Sequence, residues 1–111
     1  MSADALAAVD RALERHEADD ALRAVVHALV EHGCTWAGIL FSEGGRFVLG
    51  PEAGEPDPGL RVQVPVRYGD DIVAELVVDG CDDAAFLDAV AARIAAHCLV
   101  GWDTGGTPWV P

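Results

Sequence analysis

The sequence has no lysine, and its seven basic residues, all arginine, are outnumbered by nineteen Asp and Glu residues. The resulting formal charge of -12 at neutral pH repels phosphate backbones and anionic lipid. We therefore expect neither nucleic acid nor a membrane surface as a partner.

Hydrophobic residues make up 51% of the chain, which excludes the intrinsically disordered class. A length of 111 residues predicts one globular domain.

Long apolar runs and basic leader segments are also missing. No stretch reaches the roughly 18 to 20 apolar residues that span a bilayer, and residues 1–4 lack the basic region of a secretory signal peptide. The three cysteines, Cys34, Cys81 and Cys98, are an odd number at wide spacing. They indicate no disulfide framework and suit a reducing compartment, so we expect a cytoplasmic protein.

The first third of the chain predicts two helices. Residues 3–17 are rich in Ala, Leu, Glu and Arg and carry one narrow apolar stripe. Asp19 or Asp20 can cap a second helix, whose wider apolar face ends at Gly33, a natural C-cap. We expect a break between the two helices at residues 17–20.

The rest of the chain predicts two hairpins and a final helix. Residues 35–41 and 46–49 form the first hairpin, and residues 60–67 and 72–78 form the second. Residues 50–59 contain three prolines and three glycines, which predicts an irregular loop.

Three details refine this pattern. Pro65 lacks an N–H and predicts an edge strand or a bulge, whereas the uniformly apolar run 72–78 predicts a central strand. Asp82 or Asp83 can cap the final helix. With no parallel crossover, the element order predicts an α+β fold with an antiparallel sheet of about four strands and helices mainly on one face.

Four segments, in this order and spacing, resemble a GAF domain, the sensor fold related to PAS domains. They are Trp36–Phe41, Phe47–Pro51, Val64–Val66 and Ile72–Asp79, and the likeness runs from residue 21 to about residue 99. The chain is most similar to the subgroup of free methionine-(R)-sulfoxide reductases. Trp36 and Asp79 match ligand-contacting positions of that subgroup, but Val77 stands where the subgroup has an acid.

The middle of the chain departs from that subgroup. The reductases carry their catalytic cysteines in a long segment that is shortened here to residues 52–62, without a cysteine. The resemblance therefore implies a shortened GAF-like domain that lacks this catalysis. We place a helical extension at residues 1–18, the domain at 19–100 and a tail at 101–111.

The tail carries two tryptophans, Trp102 and Trp109, and cannot form a core by itself. Aromatic side chains of this size stabilise interfaces as well as cores. Three placements are open for them: against the sheet or last helix, against a second subunit, or on another protein.

Our leading hypothesis is a non-catalytic sensor or regulatory module that binds a small ligand, dimerises, or both. No phosphate-binding glycine loop, dinucleotide fingerprint or Ser-His-Asp order is present, so we expect no cofactor.

A ligand pocket would lie between the sheet and the 50–59 loop. Glu52, Glu55 and Asp57 could frame its entrance or simply be solvated. Its candidate wall residues are Trp36, Phe41, Phe47, Leu49, Tyr68 and Asp79.

Two alternatives stay open. The resemblance implies that the first and last strands are antiparallel neighbours, which would bring Cys34 and Cys81 close enough to act as a thiol-dependent redox pair; otherwise they are small core residues. With His32 they would supply three zinc ligands, but no fourth is evident, so we expect no metal site. The other alternative is a structural protein whose helix 3–17 pairs with its copy. A homodimer fits both this alternative and the leading hypothesis, and a regulatory module would act on a separate protein target.

Overall fold

The computed structural model describes residues 3–15, 17–43 and 46–99, which form one antiparallel sheet with helices packed against one face. The elements are α1 (Ala3–Arg15), α2 (Ala18–Glu31), β1 (Trp36–Glu43), β2 (Arg46–Gly54), a 3-10 turn (Pro58–Leu60), β3 (Arg61–Tyr68), β4 (Asp71–Asp79) and α3 (Ala84–Leu99). The sheet order is β2-β1-β4-β3. Among the described residues, no helix is long and apolar enough to cross a membrane.

Both predicted hairpins are present, and β1 pairs with β4 to join them at the centre of the sheet. The apolar strand β4 is central, as predicted. β3 is an edge strand, which explains how it accommodates Pro65, a residue that pairs with Glu75 in regular register. The register shifts from Val66↔Ala74 to Arg67↔Ile72, so the extra residue of the bulge is Val73 of β4. The four-stranded antiparallel α+β architecture is therefore confirmed.

The predicted irregular loop at 50–59 is wrong in its first half, because β2 continues to Gly54. The register passes from the pair Gly38↔Glu52 to the pair Leu40↔Leu49, so Gly50 and Pro51 fall in a bulge. A proline in a bulge of an edge strand needs no N–H for the ladder. Sequence composition indicated a break here, but the pairing partner on β1 extends the strand.

The predicted break between the first two helices is confirmed, but the predicted cap is wrong. α1 ends at Arg15 and α2 begins at Ala18, with Glu17 as its N-cap residue. Asp19 and Asp20 lie inside α2 instead. At the start of α3, the Phe86 N–H donates to Asp83 Oδ1 at 3.1 Å, so the predicted Asp cap is confirmed there.

The core lies between the sheet and the helices α2 and α3, and α1 packs on these two helices. Alternate residues of β1 and β4 point into it, and α1, predicted as an extension, contributes to the same core. The apolar stripe of α1 thus packs inside the chain, and the homodimer built on it stays a prediction. Residues 101–111, with Trp102 and Trp109, lie outside the described residues. The core members are Ala37, Ile39 and Phe41 of β1, Ala74, Leu76 and Val78 of β4, and Ala5, Val9 and Ala12 of α1.

Gly50 is required by the packing of the core. A Cβ there would lie 2.3 Å from Cε2 of Phe41, a ring that is only 3% exposed and cannot swing away. We expect Gly50→Ala to lower the free energy of unfolding by about 1–3 kcal/mol through overpacking, as measured by urea denaturation. Gly59→Ala is the matched control, since its Cβ meets nothing closer than 3.7 Å. Equal effects of the two substitutions would contradict this account.

Candidate functional site

The face of the sheet opposite the helices, here called the helix-free face, carries a polar cluster at one end. Trp36 of β1 pairs with Asp79 of β4, which in turn pairs with Arg61 of β3. Directly paired residues project from the same face, so the three side chains stand in one row across three strands. Glu52 of β2 stands on the same face, because it pairs with Gly38 two residues after Trp36.

Asp79 is the fixed point of this cluster. Its side chain is fully buried, and Arg61 donates to it twice, through Nε to Oδ1 at 2.9 Å and through Nη2 to Oδ2 at 2.9 Å. The backbone N–H of Asp57 also donates to Oδ2 at 2.7 Å. The Arg61 hydrogen bonds lower the pKa of Asp79, against the opposing effect of burial. The same contact raises the pKa of Arg61.

Trp36 is held flat by its neighbours. Any Cβ on Gly38 would lie 2.5 Å from Cη2 of the indole, so the absence of a side chain at Gly38 lets the ring lie against the sheet. The Arg61 guanidinium lies 4.9 Å from the ring centroid, in cation–π contact. The indole Nε1–H donates to Glu52 Oε1 at 3.2 Å. A guanidinium and a carboxylate therefore flank one aromatic ring.

Cys34 and Cys81 form a disulfide, which corrects the expectation that the cysteine spacing implies no disulfide. Of the two open readings, the structure has the one in which the two cysteines lie close together. The register explains the contact: Trp36 pairs with Asp79, so positions two residues beyond each, 34 and 81, also face each other. Their Cα atoms are 5.1 Å apart across a sequence separation of 47. In this state neither sulfur is a thiolate, so the zinc set considered with His32 has lost two of its three ligands.

The turn after α2 aims Cys34 at its partner. Gly33, with φ +125°, ends the helix, and the N–H of Cys34 donates to the carbonyl of Leu29 at 3.0 Å. Together with the bond from the Gly33 N–H to the Val30 carbonyl, this is a Schellman motif. The glycine predicted as the helix C-cap thus sets the position of one half of the disulfide.

Cys98 is the free cysteine among the described residues. It lies buried in α3, and this burial raises the pKa of its thiol to about 12. A nucleophilic cysteine requires the opposite shift. Cys98 therefore acts as a core residue.

A groove of about 370 Å³ lies where β3 begins and β4 ends. It is lined by residues 59–62 on one side and by residues 80–82 on the other, including Cys81. The disulfide therefore borders a space large enough for a small molecule.

Three of the six predicted wall residues come together on the helix-free face: Trp36, Leu49 and Asp79. Leu49 Cδ1 would lie 3.3 Å from a Cβ on Gly38, beside the indole. Phe47 is on the same face but pairs with Ser42 at the far end of the hairpin, where it is 44% exposed.

Phe41 and Tyr68 do not belong to this cluster. Phe41 lies in the core on the opposite face of the sheet, because it follows Trp36 by an odd number of strand residues. Tyr68 pairs with Asp71 at the other end of β3, about 23 Å along the strand from Arg61, and is 48% exposed. Neither residue lies beside Trp36, and their role as pocket walls stays a prediction.

Arg61 is a candidate site residue that the sequence patterns did not predict. The sequence did contain an indication, because Arg61 is one of the polar residues that alternate with apolar residues along β3 and therefore point away from the core. What the sequence lacked was the register that places it opposite Asp79. Glu52, considered only as a loop residue, is a strand residue bonded to Trp36.

Asp79→Asn tests the ion pair through pH. Because the pKa of Asp79 is lowered on folding, its contribution is complete above the ordinary value of about 3.9 and is lost as the pH falls through the lower folded value. We expect Asp79→Asn to lower the free energy of unfolding by about 1.5–3 kcal/mol at pH 7. The difference from the parent should shrink steadily between about pH 4 and pH 2.

Chemical denaturation over this pH range is the measurement. The control is Asp71→Asn, at an exposed position at the start of β4, which should change stability by less than about 0.5 kcal/mol. A pH-independent difference between the parent and Asp79→Asn would show that the carboxylate charge is not what Arg61 stabilises.

Comparison of the sequence with protein-family models and with curated proteins finds no match. Among solved structures, the chain is similar to the GAF domain of a phosphoenolpyruvate-protein phosphotransferase from Acinetobacter. The two share 14% sequence identity at a TM-score of 0.68, over 90% of this chain and 95% of that one. At this identity the likeness concerns the fold, and the chain has the GAF-like fold that the order of its motifs predicted.

Proposed function

We propose that the protein is a non-catalytic regulatory module that binds a small polar molecule on the helix-free face, at Trp36. The observation that carries the proposal is a pair of opposite charges, Glu52 and Arg61, that both contact the Trp36 side chain. The fully buried Asp79 holds Arg61 in this position. The GAF-like fold supports a sensor or regulatory role in general.

The energetics of Asp79 support a role in binding. A buried ion pair adds little stability compared with apolar residues of the same volume, because both charges must be removed from water. A carboxylate that binds two nitrogens of a guanidinium does, however, hold that guanidinium in one orientation. Here Asp79 binds Nε and Nη2 of Arg61, whose side chain remains 33% exposed. The Nη1 group, which has no partner among the described residues, is free to meet an acceptor.

The charges indicate the class of ligand. An exposed guanidinium binds a carboxylate, and an exposed carboxylate such as Glu52 binds an ammonium group. Leu49 lies on the same face, is 44% exposed and supplies the apolar contact, while the buried Trp36 ring supports the Arg61 guanidinium. A zwitterion with an apolar side chain, which is the chemistry of a free amino acid, matches this arrangement.

Titration with free amino acids tests the proposal. We expect L-methionine, L-leucine or L-methionine-(R)-sulfoxide to shift the Trp36 indole N–H resonance in a ¹⁵N–¹H correlation spectrum, with the resonance assigned by Trp36→Phe. Glu52→Gln and Arg61→Gln should each weaken binding about tenfold or more, which corresponds to roughly 1.4 kcal/mol of a charge-assisted hydrogen bond.

Glu75→Gln is the matched control. Glu75 pairs with Leu40 on the same face, about 13 Å along β1 from Trp36, so its carboxylate should not affect binding. No shift with any of these amino acids, or equal weakening by Glu75→Gln and Glu52→Gln, would contradict the proposed site.

The Cys34–Cys81 disulfide favours a second candidate, a thiol-dependent redox enzyme. In that reaction two thiols reduce a sulfoxide to a sulfide, and the products are a disulfide and water. The leading proposal expects no methionine when the reduced chain is mixed with methionine-(R)-sulfoxide.

The assay is amino-acid analysis of a single turnover, compared with a double variant, Cys34→Ser with Cys81→Ser. One equivalent of methionine from the parent and none from the variant would establish the enzyme. Absence of product in both would leave the disulfide a non-catalytic cross-link.

A further inference from the structure

We propose that Cys81 is a thiol-exchange site: a small monothiol enters the groove between residues 59–62 and 80–82, attacks Cys81 Sγ and opens the Cys34–Cys81 disulfide. Opening it would release the segment 55–60 from the end of the sheet. The inference does not rest on the proposed ligand site at Trp36.

The groove distinguishes the two cysteine residues. Cys81 lines the groove and is 9% exposed, whereas Cys34 does not line it and is 3% exposed. Thiol–disulfide exchange depends on access to the sulfur that is attacked. A volume of about 370 Å³ admits a thiol of a few heavy atoms without unfolding. Attack is therefore directed to Cys81, and Cys34 is the leaving group.

The exchange is balanced without any further oxidant. The thiolate of the monothiol forms a bond to Cys81 Sγ, the bond between Cys81 Sγ and Cys34 Sγ breaks, and Cys34 leaves as a thiolate that takes up the proton lost by the monothiol. The product is a mixed disulfide at Cys81 with a free thiol at Cys34. Attack by the Cys34 thiolate on the mixed disulfide reverses the step and releases the monothiol.

The disulfide closes the ends of β1 and β4, where the segment 55–60 is attached. Next to the disulfide, the Thr35 N–H donates to the Asp79 carbonyl at 2.8 Å. The Thr35 carbonyl accepts from the Glu55 N–H at 3.0 Å, and the Gly80 N–H donates to the Leu60 carbonyl at 3.3 Å. Thr35 and Gly80 thus hold the two ends of the segment.

The middle of the segment is tied to the same place. The Asp57 N–H donates to the Asp79 carboxylate, which also holds Arg61 over Trp36. Gly80 has a φ of +83°, and a Cβ there would clash with Thr35 Oγ1. The backbone segments at Thr35 and Gly80 therefore approach as closely as they can without a side chain at position 80. Separating Cys34 from Cys81 removes the covalent link that keeps them so close.

Asp82 provides a test of where the thiol enters. Its exposed carboxylate lines the groove and should repel an approaching thiolate. We expect Asp82→Asn to raise the rate of adduct formation about threefold at low ionic strength, with the effect disappearing in about 1 M salt. Asp71→Asn, which removes the same charge at the far end of β4, is the matched control and should leave the rate unchanged.

The experiment uses the full, oxidised chain without denaturant, mixed with 2-mercaptoethanol, quenched with acid and alkylated. Each cysteine lies on its own tryptic peptide, 24–46, 68–93 or 94–111, because the chain is cut only at arginine. We expect the thiol adduct on peptide 68–93 and alkylation of Cys34 on peptide 24–46. An adduct on Cys34, or no adduct until denaturant unfolds the chain, would overturn the proposal.

A second readout tests the release of the segment. In the adduct, the amide resonances of Glu55 and Asp57 and the indole resonance of Trp36 should shift, and the Glu55 and Asp57 amides should exchange with solvent at least tenfold faster. The amide of Leu76, at the centre of the sheet, serves as the internal control and should keep its exchange rate. Unchanged exchange at Glu55 and Asp57 would show that the disulfide does not hold the segment.

Discussion

The antiparallel pairing of β1 with β4, in the register Trp36↔Asp79, is the constraint on which the other features of this structure depend. It joins two hairpins that are each only marginally stable alone into a four-stranded sheet. The same register places Asp79 beside Trp36 on the helix-free face and positions 34 and 81 opposite each other beyond the strand ends. A slip by one residue would move each of these side chains to the other face.

A single carboxylate connects the polar features at this end of the sheet. Asp79 binds Arg61, Arg61 covers Trp36, and the same carboxylate accepts from the backbone of Asp57. The net effect on stability is modest because desolvation opposes the attraction between the charges. The arrangement is nevertheless specific in geometry, since a guanidinium that binds a carboxylate through two nitrogens has one orientation. The proposed binding of a zwitterion uses this fixed orientation.

Much of the fold could be predicted from local signals. The alternation of apolar residues located β3, and a uniformly apolar run located β4. Pro65 indicated an edge strand, and Gly33 and Asp83 marked helix ends. These predictions are reliable because each depends on the conformation or hydrogen bonding of a few adjacent residues. The extension of β2 through Pro51 was missed, because a bulge in a paired strand is a property of the pair and not of one segment.

The sequence by itself therefore determined the element types and the antiparallel architecture, because the period of the apolar residues and the turn residues are encoded locally. Only the tertiary structure decided which side chains meet. Arg61 lies eighteen residues from Asp79, and Cys34 lies 47 residues from Cys81. Contacts over such separations depend on strand order and register, which follow from packing the whole core at once. The site and the disulfide are products of that packing.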